Sequence, residues 1–272
     1  MRLSCGPGAP RRRLPAHVMP IPLSRRRRPA HRGGGPVWLF DLDNTLHSAS
    51  HAIFPAINEG MTRYIIDALG IGRAEADELR LAYVRRYGAT LLGLARHHPI
   101  DPHEFLRVAH AMPELRQMLR AERGLARLID ALPGRKIVLT NAPEGYARAV
   151  LDELGIERLF ERVIAIEHMR RRGQWHAKPD LAMLRHVLRA ARVRLAEAVL
   201  VEDTRSHLKR YRRLGIGTVW IVGHLVAPVR GALGERRAAR MPGTGRPHYI
   251  DSRIRSLKSL RRVISRSSHA LD

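Results

Sequence analysis

The sequence has very little cysteine, few lysines and no long apolar run. Cys5 is its one cysteine. A lone thiol excludes an intramolecular disulfide framework and a multi-thiolate metal site. Such usage fits a reducing cytoplasm, which is the compartment expected here. No stretch of 18 apolar residues occurs, so no membrane span is read. Only four of the 49 basic residues are lysines, at 136, 178, 209 and 258. Every other basic position is written as arginine.

Against 25 acids, those basic residues give a formal charge of +24. A surplus of this size attracts polyanions. No recognised nucleic-acid reading module accompanies it, however. Nucleic-acid binding is therefore kept only as the alternative from another functional class, and a small anionic partner is expected. With 44% hydrophobic residues, the chain has enough apolar material for an ordinary buried core.

Residues 1–34 carry nine arginines and no acid, interspersed with proline and glycine. Such a segment buries too little apolar surface to offset its ordering entropy, and a disordered basic tail is expected. It lacks the apolar stretch of a secretory signal. The fold is expected to begin at Pro36. Val37-Trp38-Leu39-Phe40 reads as a buried strand that ends in the polar loop Asp41-Leu42-Asp43-Asn44. Residues 53–126 read as helices, with Ile53, Ile57, Met61, Tyr64 and Ile65 at helical spacing.

Strand–helix alternation then returns. Strands are expected at 137–139, 163–166, 198–201 and 218–222, and helices at 147–154, 181–191 and 208–214. A last strand is expected at Tyr249-Ile250, followed by a helix holding Ile254, Leu257 and Leu260. Residues 224–247 read as an irregular excursion. This rhythm predicts an α/β fold, a Rossmann-like parallel sheet with helices on both faces. Its core would comprise residues 35–52 and 127–265, with a small helical cap inserted at 53–126. Ligands of such sheets bind beyond the carboxyl ends of the strands. Asp41, Thr140 and Asp203 each stand at that end of their own strand.

Four segments carry candidate chemistry. Asp41 and Asp43 flank one residue just past a strand, a pairing that suits an oxyanion nucleophile beside a proton donor. A cation would be needed to offset their repulsion. Thr140-Asn141-Ala142 follows a strand and precedes a helix, a natural place for a phosphate. Lys178 precedes Pro179, which is expected at the first position of a helix. In a chain that writes nearly every cation as arginine, a compact ammonium here suggests a requirement arginine cannot meet. Glu202-Asp203 places hard oxygen ligands at a strand end, a set suited to Mg²⁺.

These segments, in this order, resemble the four motifs of the haloacid dehalogenase (HAD) superfamily of hydrolases. The resemblance implies that Asp41 is the nucleophile and Asp43 the general acid/base. It implies that Thr140 holds phosphoryl oxygens and that Lys178 neutralises charge around Asp41. Asp203, with Glu202 assisting, would bind Mg²⁺ together with Asp41 and the backbone carbonyl of Asp43. The inserted helices would be the cap.

Finer detail is similar to the pyrimidine 5'-nucleotidases: Asp-Leu-Asp-Asn-Thr-Leu, Tyr87-Gly88-Ala89-Thr90 with Gly93-Leu94, and Thr140-Asn141-Ala142. The sequence departs from that pattern at His47, Glu202 and His207. The implied activity is hydrolysis of a small phosphorylated metabolite, a nucleoside 5'-monophosphate in this subfamily, through an aspartyl-phosphate. A sugar-phosphate phosphatase or phosphomutase of the same superfamily is the alternative. Asn141 would join Thr140 and Lys178 on the phosphate, and His47, Tyr87 and Thr90 would meet the leaving group.

Overall fold

The computed structural model describes residues 35–224 and 246–261. The expected tail and nearly all of the expected excursion at 224–247 lie outside those residues. Strand β1 (Val37–Phe40) is followed by helices α1 (Ile53–Leu69), α2 (Arg73–Tyr87), α3 (Thr90–His97), α4 (Pro102–Ala109), α5 (Leu115–Met118) and α6 (Leu125–Asp130). Then come β2 (Arg135–Leu139), α7 (Glu144–Glu153), β3 (Arg162–Ile164), α8 (Leu181–Ala190), β4 (Ala198–Glu202), α9 (Arg205–Arg212), β5 (Gly217–Ile221) and β6 (Ser252–Ile254).

The six strands form one parallel sheet in the order β3-β2-β1-β4-β5-β6. β1 is fully buried because side chains on both its faces are covered. Trp38 and Phe40 enter one apolar cluster with Val138, Val150 and Leu151, while Val37 and Leu39 enter another with Leu184, Leu188 and Leu200. This is the period of two in a strand buried on both sides, and it explains why β1 reads as an unbroken apolar run. Phe40 stands level with Val138 of β2 and Val201 of β4. The polar residues just past those strands therefore emerge at one edge, where the strand order reverses across β1.

Helices α1–α4 close over an apolar cluster that includes Tyr64, Ile65, Leu91, Leu94 and Phe105 and is joined by Ile166 and Ala177 from beyond β3. The sequence pattern places Leu115 of α5 and Leu125 of α6 with that insert. Both pack in the cluster that holds Phe40 and Val138, as do Ile53 and Ile57 of α1.

Three local expectations are corrected. The last strand is Ser252–Ile254, not Tyr249-Ile250. Residues 247–250 form a turn, with the Ile250 amide donating to the Pro247 carbonyl (2.9 Å), which delays entry into the sheet. Ile254 ends that strand and lies in no helix, and Leu257–Ser259 beyond it form a short 3₁₀ turn capped by Ser256. Pro179 does not open a helix, because Asp180 caps α8 by accepting from the Met183 amide (2.7 Å) and the helix begins at Leu181.

Candidate active site

The loop after β1 curls at once. Asn44 adopts a left-handed conformation (φ 58°), which Asn tolerates better than most residues. Its side-chain carbonyl accepts from the Ala49 and Ser50 amides at 3.0 and 3.1 Å, and its amide group donates to the Ser50 hydroxyl at 2.8 Å. Asp41 is buried at the edge of the sheet, and the Thr45 hydroxyl lies 3.3 Å from its Oδ2.

Lys178 approaches from the loop before α8. Its Nζ donates to Asp41 Oδ1 at 2.6 Å and to Glu202 Oε2 at 2.9 Å, and all three side chains are buried. Burial alone would lower the lysine pKa, but the two carboxylates outweigh it and keep the ammonium charged. A single point charge thus bridges two acids that follow different strands. Asn141 fixes the lysine's backbone from both sides. Its Oδ1 accepts from the Lys178 amide at 2.7 Å, and its Nδ2 donates to the Lys178 carbonyl at 3.3 Å. Thr140 is buried, and its hydroxyl oxygen accepts from the Ala142 amide at 3.0 Å.

Glu202 and Asp203 leave the end of β4. Glu202 Oε2 also meets His207 Nδ1 (3.1 Å), and Oε1 accepts from the Thr204 amide (3.1 Å). Trp220 Nε1 donates to the Asp203 carbonyl at 2.9 Å, which anchors the loop. Carboxylate oxygens of Asp41, Glu202 and Asp203 lie within 4.8 Å of one another.

That crowding has an electrostatic signature. Burial and the Glu202 charge push the Asp41 carboxyl up to about 7, against the pull of Lys178. Burial and the charges of Glu202 and Asp41 push Asp203 well above the ordinary carboxylate range. For Glu202, Lys178 and His207 overcome burial and hold it well below that range. A buried set of hard oxygen donors with an uncompensated charge fits a divalent cation of the Mg²⁺ type. Both Glu202 oxygens accept hydrogen bonds, while Asp41 Oδ2 has only the long Thr45 contact at 3.3 Å and Asp203 is met at Oδ1 by the Thr204 hydroxyl at 3.0 Å, which leaves these two acids more able to turn toward one.

Asp43 stands apart from this cluster, and its expected share in metal binding is through its backbone carbonyl. Its carboxylate faces a different set of groups. The Tyr146 hydroxyl donates to Oδ1 at 2.7 Å. His47 Nε2 lies 3.1 Å from the same oxygen, an ion-pair distance, although its ring is angled off the line of a hydrogen bond. Burial would raise the Asp43 pKa, but His47, Tyr146 and the nearby His110 together lower it. Burial and the Asp43 charge raise the Tyr146 pKa, so the phenol remains a donor.

Of the three residues expected to meet the leaving group, His47 and Thr90 are buried. The Thr90 hydroxyl donates to the Arg80 carbonyl at 3.3 Å. Both are thereby turned toward the protein itself. Tyr87 lines an open groove with Trp175, His176, Lys178 and Arg210, and its hydroxyl meets His97 Nε2 at 2.5 Å. Tyr146 and His110 are site neighbours that the sequence does not single out. Tyr146 carries the one polar tip on the otherwise apolar face of α7, shared with Ala147, Val150 and Leu151, and that pattern is the available signal.

The protein is thus of the α/β class with a parallel sheet, and it gathers Asp41, Lys178, Glu202 and Asp203 at the edge of that sheet, with Thr140 at the end of the neighbouring strand. Residues 37–215 match the haloacid dehalogenase-like hydrolase family, and the chain belongs to it. Among curated relatives it is 28% identical over 194 residues to a phosphoglycolate phosphatase of Rhodospirillum rubrum, covering 66% of this chain and 77% of that one. It is 24% identical over 196 residues to phosphate metabolism protein 8 of Saccharomyces cerevisiae, covering 67% of this chain. The match spans 60% of the yeast protein's length. Among solved structures, a HAD phosphatase from Thermococcus onnurineus superposes with a TM-score of 0.55 at 19% identity, covering 84% of this chain and 97% of that one. The L-2-haloacid dehalogenase of Xanthobacter autotrophicus superposes at 0.52 and 18% identity, covering 85% and 98%. At these identities the structural likeness speaks for the fold.

Proposed function

We infer that the protein is a phosphomonoester hydrolase that works through a covalent intermediate on Asp41. The observation that carries this reading is the buried bridge from Lys178 to Asp41 and Glu202, at 2.6 and 2.9 Å, with Asp203 beside it. In the first step an Asp41 oxygen bonds to phosphorus as the ester bond breaks, and Asp43 gives its proton to the leaving oxygen. In the second step Asp43 takes a proton from water as the water oxygen bonds to phosphorus and the Asp41 linkage breaks. Inorganic phosphate leaves, and both aspartates return to their starting state. Covalent catalysis divides one difficult displacement into two easier ones.

Lys178 and Thr140 stabilise negative charge on the transferring group. Asn141 is read as holding Lys178 in place, since both ends of its side chain are spent on the lysine's backbone. A Mg²⁺ ion held by Asp41, Asp203 and the Asp43 carbonyl, with Glu202 behind them, would supply further charge neutralisation. Helices α1–α4 are the proposed cap over the site.

Dehalogenation is the chemical rival on this fold. A halide leaves without a proton and needs no cation, so Asp43 and the acidic cluster favour phosphate ester hydrolysis. For the leaving group, the nucleotide reading keeps Tyr87 but loses the support of His47 and Thr90. The name of the R. rubrum relative favours a small phosphorylated acid or sugar as a second reading. The deciding experiment is a hydrolysis screen over UMP, CMP, purine nucleotides, phosphoglycolate and sugar phosphates. A higher kcat/KM for UMP or CMP is the expected result for the nucleotidase reading. A preference for phosphoglycolate or a sugar phosphate would overturn it and leave the aspartate chemistry standing.

A further inference from the structure

Asp43 has two oxygens, and the structure treats them differently. Oδ1 receives the Tyr146 hydroxyl at 2.7 Å and lies 3.1 Å from His47 Nε2. Oδ2 has neither contact. Tyr146 is itself well seated. Its ring is buried on α7, among the cluster that also takes Phe40 and Val138. Its other neighbour comes from the inserted helices. The His110 ring, next to the end of α4, lies 5.4 Å from the Tyr146 ring, and His110 Nδ1 is held by the Leu106 carbonyl at 3.0 Å. The hydroxyl thus reaches Asp43 from a ring that is packed on one side by the sheet layer and on the other by the insert.

A carboxyl group that must deliver a proton to one particular oxygen works best when it cannot rotate. We propose that Tyr146 is a positioning residue: by occupying Oδ1 it orients the Asp43 carboxyl so that Oδ2 is the oxygen that gives and takes the proton. His47 backs the same oxygen, and His110 braces the tyrosine ring. This rests on the reading of Asp43 as the proton donor. In the first step the Oδ2 proton passes to the leaving oxygen while the ester bond breaks. In the second, Oδ2 regains a proton from the attacking water. Tyr146 keeps its own proton throughout and is neither consumed nor regenerated.

A residue that orients the acid should matter most when the leaving group needs the proton most. The test is a series of aryl and alkyl phosphates of increasing leaving-group basicity, measured with wild type, Tyr146→Phe and Asp43→Asn. Losing Tyr146's hydrogen bond to the carboxylate that develops on Asp43 should cost about tenfold or more in kcat/KM, which reports the first step, on an alkyl phosphate. It should cost much less on p-nitrophenyl phosphate, whose leaving group departs without help. The dependence of kcat/KM on leaving-group basicity should therefore steepen in Tyr146→Phe, in the same sense as in Asp43→Asn.

If Asp43→Asn steepens that dependence and Tyr146→Phe lowers all substrates equally, Tyr146 is merely structural and the proposal is overturned. If Asp43→Asn leaves the dependence unchanged, the proton-donor reading itself fails. Should Tyr146→Phe not fold, ring-fluorinated tyrosine at position 146 keeps the shape and changes only the donor strength. A shifted dependence supports the proposal, and an unchanged one contradicts it.

Discussion

Lys178 serves two carboxylates at once, and its own backbone is held by the two ends of the Asn141 side chain. Asn141→Ala should therefore lower kcat by roughly 10–10²-fold through misplacement of the ammonium. Thermal stability should change far less than turnover, and steady-state kinetics beside a melting curve checks both. Asp41→Asn should abolish turnover, because an amide is a poor nucleophile. Asp43→Asn should cost about 10²–10⁴-fold, the usual contribution of proton transfer. Near-normal turnover in either would contradict the roles given to them.

At this scale the main motifs are legible in the sequence. Aspartates beyond a buried strand and a lysine in an arginine-rich chain announce themselves by type and place. Tyr146 does not, because its contact to Asp43 spans 103 residues. The inward turn of His47 is hidden because it follows from the curl of the loop that brings it within 3.1 Å of Asp43, not from residue type. Asn141 is legible as a site residue, but its partner is not. An amide beside a phosphate loop has the same sequence appearance whether it faces substrate or backbone.

At the scale of elements, the insert is held by close helix contacts. Gly93 of α3 faces Tyr83 of α2, and a Cβ added there would lie 2.1 Å from the ring's Cγ. The ring cannot swing clear cheaply, since the Tyr83 hydroxyl is paired with His98 Nε2 at 2.7 Å. Gly93→Ala should destabilise the protein by about 1–3 kcal/mol, the usual cost of overpacking. Denaturant melting measures this, and a neutral effect would show that α2 and α3 separate freely.

The strands of the sheet centre are readable from apolar runs because both faces of β1 are buried. Element ends are less so. Asp180 rather than Pro179 sets the start of α8, and the β6 register follows from pairing with β5, which no local pattern encodes. Which cluster a helical residue joins is hidden for a related reason. Leu115 and Leu125 read simply as helical, and only packing assigns them to the cluster that holds Phe40 and Val138.

For the whole molecule, the acidic cluster links stability to pH and to cation. Asp41 titrates near 3.8 when unperturbed and near 7 in the folded protein. Between those values the folded state binds the extra proton, so stability falls as pH rises through the window. Asp203 is raised and acts in the same direction. Glu202 is lowered and acts oppositely, but below its ordinary value of 4.5. His110, His168 and His224 are lowered by burial and act oppositely below their ordinary value of 6.5, so the Asp41 contribution is read as a difference. In chelated protein, the wild-type Tm should fall relative to that of Asp41→Asn as pH rises to about 7. Added Mg²⁺ should stabilise more at the upper end, where it no longer competes with protons. Parallel profiles for wild type and Asp41→Asn would contradict the electrostatic picture. Activity should vanish on thorough chelation and return with Mg²⁺.

Phosphate that passes through Asp41 can be trapped there. The protein is mixed with excess phosphate ester and Mg²⁺, quenched in acid within the first turnovers, digested, and analysed by mass spectrometry. A fraction of the peptide containing Asp41 should be heavier by one phosphoryl group, and that fraction should be absent in Asp41→Asn. Running the reaction in ¹⁸O-labelled water should place the label in inorganic phosphate. Label incorporated into the Asp41 carboxylate instead, with no phosphoryl adduct at any quench time, would contradict passage of phosphate through Asp41.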